Sequence, residues 1–226
     1  MEKKDEIAVL FHAASHNDVD TLERMLAEGA DLHVRNIVDD TLLHPAAASG
    51  SYKVCKFLLE HGLSINARNI CDRTPLLLAV RQQTVDFCKF LLDNGADVYA
   101  KDYEGYTVLH EAIGNPDAVE LCGMLLEARA LVDSANRYGC TPLREAVDRG
   151  KYELCKLFIE TGADVNFCDN DGYTPLHRAA LAKDETLWKM LVDAGADCDI
   201  ENCEGATPHD YKLMWKTDKK YAEKLY

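Results

Sequence analysis

No run of about 18 uncharged apolar residues occurs anywhere in this chain of 226 residues, which excludes a helical membrane span. The opening stretch MEKKDEIAVLFHAASHND lacks the apolar region of a signal peptide, so the expected location is the cytosol, or the nucleus as well. Basic residues are in deficit. Lys and Arg total 25 against 39 Asp and Glu, a net charge of −14, and readers of nucleic-acid backbones present a basic face instead. The glycine-rich and nucleophile motifs GxGxxG, GxxxxGK[ST] and GxSxG are missing, as is any C-x-x-C pair. His110 and Glu111 begin an HExxH pattern, but Gly114 stands where the second histidine would be, so that zinc site lacks a ligand. His12 and His16 share a helix face with no third ligand nearby in sequence, which favours two exposed histidines over a metal site. These absences point away from catalysis, cofactors and metals.

What the chain does have is regularity. Thr41, Thr74, Thr107, Thr141, Thr174 and Thr207 head TLLH, TPLL, TVLH, TPLR, TPLH and TPHD, at intervals of 33, 33, 34, 33 and 33. A fixed period of that length marks a repeat array, predicted as one domain over 1–226. Four of the nine cysteines obey the same period: Cys55, Cys88, Cys122 and Cys155 each sit in an apolar run. Trp188 takes that slot in the next repeat, so the column reads as core filler and not as a ligand set.

Thr-Pro-Leu-His, followed by an Ala pair and later by GADV, resembles the ankyrin repeat, and the resemblance covers nearly the whole chain. It implies an all-α solenoid of stacked helix-turn-helix units with β-hairpin or turn tips. About seven units follow: 1–35 as an N-terminal cap, 36–68, 69–101, 102–135, 136–168, 169–201, and 202–226 as a shortened C-terminal cap. Thr41 and its counterparts are placed to cap the first helix of each unit, with Pro45, Pro75, Pro142, Pro175 and Pro208 in the first turn. In the family the motif histidine bridges adjacent turns. Here His44, His110 and His177 match, whereas Phe11, Leu77, Arg144 and Asp210 depart, so bridging is expected to be incomplete at those joints. Glycine ends most second helices, but Arg129 stands there in the fourth unit, which also has one extra residue in its Gly114-Asn115-Pro116 connection. Asp39 and Asp72 replace the turn glycine in units two and three, where Asp tolerates the backbone better than most residues.

The resemblance also implies a partner surface: a concave face built from turn tips and the exposed side of the first helices. On the tips fall Ile37 and Val38, then Ile70 and Arg73, Tyr103 and Tyr106, Tyr138, and Tyr173. The first helices add Leu78, Arg81, Glu111, Glu145 and Arg178. Tyr and Arg are enriched in interface hot spots. The expected partner is therefore another protein or an extended peptide, bound by a chain that is monomeric by itself, with no nucleic acid and no membrane involved. Two further expectations are an adaptor role through the outer helices or the basic end, with lysines at 212, 216, 219, 220 and 224, and modification by asparagine-hydroxylating oxygenases at Asn66 or Asn166.

Overall fold

Six of the seven repeats turn on one side chain. In a computed structural model, which describes the backbone of residues 3–222 and the side chains of 5–215, the Asn36 carboxamide oxygen accepts the N–H groups of Val38 and Asp40 at 2.9 and 3.0 Å. The Asp39 N–H bonds to the Asn36 carbonyl and the Asn36 N–H to that of Asp40, giving a type I turn closed by a left-handed residue. Asn69, Asp102, Asn136, Asp169 and Asn202 do the same in their own turns. These tips are turns and not strands: among the described residues one isolated bridge occurs, Lys101 to Thr107.

The chain divides into two compact units, Met1–Ala130 and Leu131–Tyr226, the division falling within residues 102–135. Unit 1 holds the helix pairs α1 (Lys3–Ser15) and α2 (Val19–Ala27), α3 (Leu43–Ala48) and α4 (Tyr52–Glu60), α5 (Pro75–Ala79) and α6 (Val85–Asp93), and α7 (Val108–Ala112) and α8 (Ala118–Glu127). The short first helices pack in sequence, α1 on α3, α3 on α5 and α5 on α7. Small residues at the contact, Ala13, Ala46, Ala47, Ala79 and Ala112, are buried and permit close approach. Unit 2 holds α9 (Pro142–Asp148), α10 (Tyr152–Glu160), α11 (Pro175–Leu181), α12 (Glu185–Asp193) and α13 (Pro208–Ala222), with α9 on α11 and α11 on α13.

The cysteine column is core, as its register implies. Cys55, Cys88, Cys122 and Cys155 are fully buried, and burial pushes each thiol up to about 12, so none is a ready nucleophile. In unit 2, Trp188 meets Trp215 edge-on at 6.1 Å, and the Trp215 indole donates to the Ala180 carbonyl at 2.7 Å. Pro208–Ala222 thus form one continuous helix, anchored by an aromatic contact, over a stretch in which the other repeats turn between two helices.

Thr74, Thr141 and Thr174 cap as expected, each hydroxyl accepting the N–H three residues on. Thr41 does not, and α3 begins at Leu43, one residue later than its counterparts begin after their own threonines. The cause is Pro45. In the other repeats the residue four beyond the threonine donates to its carbonyl, as Leu78 does to Thr74 and Arg178 to Thr174. Pro45 has no N–H to give. His44 donates to the Thr41 carbonyl instead, at 3.0 Å, leaving the Thr41 hydroxyl to the imidazole at 3.0 Å.

Arg129 sits at φ 75°, in the place where Gly29, Gly62 and Gly95 have φ of 93, 81 and 89°. It keeps the same closing bonds: Arg129 N–H to Leu126 and Ala130 N–H to Leu125, each 2.9 Å. The geometry is therefore the glycine geometry, held by a residue that carries a Cβ. Arg129→Gly is expected to raise stability by about 1 kcal/mol, read from the urea midpoint; an unchanged or lower midpoint would contradict the strain.

Candidate functional site

The candidate surface is carried by the turn tips, and successive tips are joined through their backbones. Within unit 1 the Ile70 N–H donates to the Val38 carbonyl at 3.1 Å and the Tyr103 N–H to that of Cys71 at 2.9 Å. Within unit 2 Asn170 donates to Tyr138 at 3.3 Å and Cys203 to Asp171 at 2.9 Å. Side chains at the same turn position are thereby held in a row. In unit 1 that row is Ile37, Ile70 and Tyr103, exposed by 99, 64 and 70%. In unit 2 the matching positions are Arg137, Asn170 and Cys203. An apolar row in one unit and a polar one in the other is the main asymmetry of the tips.

Where Asp39 and Asp72 replace glycine, at φ 61 and 56°, each turn is braced by an arginine. Arg35 donates to the Asp39 carbonyl at 2.7 Å, pairs with its carboxylate at 2.7 Å, and reaches the Arg68 carbonyl of the next repeat at 3.0 Å. Arg68 likewise donates to Asp72 and Lys101 at 3.3 and 3.1 Å. The corresponding residue in glycine-containing turns of unit 2 is Ala135, Cys168 or Glu201. The arginine thus accompanies the missing glycine, a correlation that the sequence displays and that its repeat spacing alone does not flag.

Of the eleven predicted partner residues, the charged ones are occupied inside the fold. Arg73 pairs with Asp102 and Glu111 at 3.3 and 3.4 Å, and Arg81 with Glu111 at 3.4 Å. In unit 2 Arg178 meets Asp148 at 2.7 Å and Arg149 meets Glu145 at 2.6 Å. At two of the four joints, those of Leu77 and Arg144, these pairs correct the expectation of incomplete bridging. Leu77 cannot bridge, but Arg73 crosses the same joint, between the third and fourth repeats, to Asp102. Arg144 itself bridges from the fifth repeat to Asp169 of the sixth at 3.4 Å. Asp210 restores the local half of the histidine's role, accepting the Thr207 N–H and hydroxyl at 2.9 and 2.7 Å.

His44 and His177 bridge as the resemblance implies. The N–H of Thr41 donates to His44 Nδ1 and that of Thr174 to His177 Nδ1, both at 3.0 Å. Nδ1 is therefore the bare nitrogen, and Nε2–H donates to the carbonyls of Arg73 (3.0 Å) and Ala206 (3.1 Å). Burial lowers the pKa of both imidazoles.

The remaining candidates separate by exposure. Ile70, Tyr103 and Tyr138 are exposed, with the Arg137 guanidinium over the Tyr138 ring at 4.9 Å and donating to its hydroxyl at 2.7 Å. Leu78 is half-buried. Tyr106 and Tyr173 lean edge-on against His110 and His177 at 5.5 Å each, and the Tyr173 hydroxyl lies 3.3 Å from that of Tyr211. Both belong as much to the joints as to the surface. Ile37, the most exposed apolar side chain of the row, falls outside the eleven although its spacing puts it on a tip. The signal for it is the 33-residue stride to Ile70 and Tyr103.

Asn66 and Asn166 each tie one repeat to the next. The Asn66 amide donates to the Gly95 carbonyl at 2.9 Å and accepts the Asp97 N–H at 2.8 Å; Asn166 makes the matching pair to Gly195 and Asp197 at 3.4 and 2.8 Å. Lys212 lies over the Trp188 ring at 4.2 Å and reaches Glu185 at 3.1 Å; the side chains of Lys216, Lys219, Lys220 and Lys224 lie outside the described residues. Asn115, in the irregular connection, is buried and donates to the carbonyls of Val80 and Gln83 at 3.0 Å each. His16 turns Nδ1 onto the His12 carbonyl at 2.8 Å, and no metal-binding group of three or more side chains occurs among the described residues. No helix among them is long and apolar enough to cross a membrane.

Short paired helices, Asx-closed turns and a backbone-linked row of tips define a repeat scaffold of the interaction class. The family model for ankyrin repeats (3 copies) matches residues 10–102, 68–134 and 109–202, and the chain belongs to the ankyrin-repeat family as an all-α solenoid of that kind. Among solved structures, it is similar to the ankyrin repeat domain of Bcl-3, described as a unique member of the IkappaB protein family, with 27% identity over 92% of this chain and 97% of that one and a TM-score of 0.77. No curated protein sequence matches it. Ankyrin repeats are generally protein–protein interaction modules and not enzymes.

Proposed function

We propose that this chain is a non-enzymatic protein-binding module whose primary contact is the row of unit 1 tips, Ile70 and Tyr103 above all. The observation that carries this reading is the exposure of apolar side chains on a backbone that is already fixed. The Asx bonds and cross-turn bonds hold these tips before any partner arrives, so little ordering entropy opposes binding. Exposed turns are ordinarily polar, and a fixed apolar row calls for a second surface to cover it. The charged candidates Arg73, Arg81, Glu111, Glu145 and Arg178 serve the joints in this reading, and Tyr106 and Tyr173 divide their roles.

The test compares the chain with an Ile70→Ala/Tyr103→Ala variant in affinity purification from its native cells, with bound proteins quantified by mass spectrometry. Partners retained by the parent are expected to fall at least tenfold on the variant while its thermal midpoint stays within about 2 °C, since neither side chain is buried. Equal recovery by both proteins would show that the contact lies elsewhere.

A further inference from the structure

Within each unit the bonds between tips run in one direction, the N–H of a turn's second residue donating to the carbonyl of the turn before. Ile70 donates to Val38 and Tyr103 to Cys71. Ile37 is the second residue of the first such turn, and its N–H has no acceptor among the described residues. Its side chain is 99% exposed, with Val38 beside it at 38%. Among the described residues the row of tips thus ends on one open main-chain donor flanked by apolar side chains, the kind of group that a strand edge presents in series.

We propose that the occupant of this edge is an extended, apolar segment of another protein, whose backbone carbonyl accepts the Ile37 N–H and whose side chains cover Ile37, Val38 and Ile70. The proposal rests on the reading of the unit 1 tips as the binding surface and adds the partner's chemistry. Addition of a strand to an exposed edge supplies affinity through main-chain bonds and specificity through alternate side chains. Charge supports an apolar occupant over a basic one. Asp39 is paired with Arg35 at 2.7 Å, and the half-buried Asp40 carboxylate is turned onto the Asn69 and Asn36 amides at 2.8 and 3.3 Å, so a single unpaired carboxylate lies near Ile37, against three exposed apolar side chains at Ile37, Val38 and Ile70.

A random library of 12-residue peptides displayed on phage, selected on the full chain, tests the idea; selected peptides are synthesised and their dissociation constants measured. Substitution Ile37→Ala removes the side chain and keeps the N–H. Ile37→Pro removes both, at the turn position that proline favours. Selected peptides are expected to be rich in alternating apolar residues, to lose at least tenfold on Ile70→Ala/Tyr103→Ala, and to bind the proline variant at least about threefold more weakly than the alanine variant, the size of one main-chain hydrogen bond. Amide hydrogen exchange at Ile37 gives a second readout that needs no substitution: fast in the free chain and slowed at least tenfold with peptide bound. Peptides that respond to Ile70 and Tyr103 but bind both Ile37 variants equally, with Ile37 exchange unchanged, overturn the edge proposal and leave the binding surface standing. Peptides indifferent to all these substitutions overturn both.

Discussion

Gly172→Ala is expected to lower the stability of the chain by about 3 kcal/mol, combining about 1 for a left-handed alanine with roughly 1–3 for overpacking. Gly172 has φ 81°, and a Cβ there would lie 2.9 Å from both Asn202 Cα and Cys203 N. Both are backbone atoms of the next turn, which have no rotamer by which to yield. Gly195 provides the control. Its φ is 92°, yet a Cβ at that position would meet nothing within 4 Å, so Gly195→Ala bears the conformational cost of about 1 kcal/mol alone. Equal losses for the two variants in urea unfolding would show that close approach of the turns is not what holds glycine at 172.

Acid is expected to destabilise the protein through His44 and His177, beginning below pH 6.5. Burial depresses the folded-state pKa of each imidazole beneath that ordinary value, so as pH falls through 6.5 the unfolded chain takes up protons that the folded chain refuses. Stability is complete above 6.5 and is lost as pH drops toward the depressed folded values, at up to about 1.4 kcal/mol per pH unit for each histidine. The geometry supplies the cause. A proton on Nδ1 would face the Thr41 or Thr174 N–H at 3.0 Å, donor against donor. Unfolding free energies at pH 7.5 and 5.5 are expected to differ less in a His44→Gln/His177→Gln variant than in the parent. An unchanged difference would place the acid sensitivity on other groups.

The architecture was legible because each repeat repeats its physics: threonine caps, cysteine fillers and helix-ending glycines recur at one stride. Even Arg129 could be placed in the left-handed region by register alone. What escaped were effects that depend on two residues at once. The late start of α3 needs both the Thr41 carbonyl and the absent Pro45 N–H, and the tolerance of Asp39 needs Arg35 four residues earlier. The replacement of a histidine bridge by Arg144 and Asp169 joins residues 25 apart in sequence. The candidate surface was legible in outline, since turn positions follow from the period. Exposure was not. Spacing placed both Tyr103 and Tyr173 on turn tips, three positions apart in the repeat, but packing shows that Tyr103 is largely exposed whereas the Tyr173 hydroxyl meets that of Tyr211.

The contact between Trp188 and Trp215 has a practical consequence. They are the only two tryptophans in the chain, and both lie in unit 2 at the anchor of α13. Indole emission is therefore a local reporter of the C-terminal end, silent about unit 1. Far-ultraviolet circular dichroism, which weighs every helix, registers both units, so the two signals followed together distinguish loss of the terminal helix from collapse of the whole array.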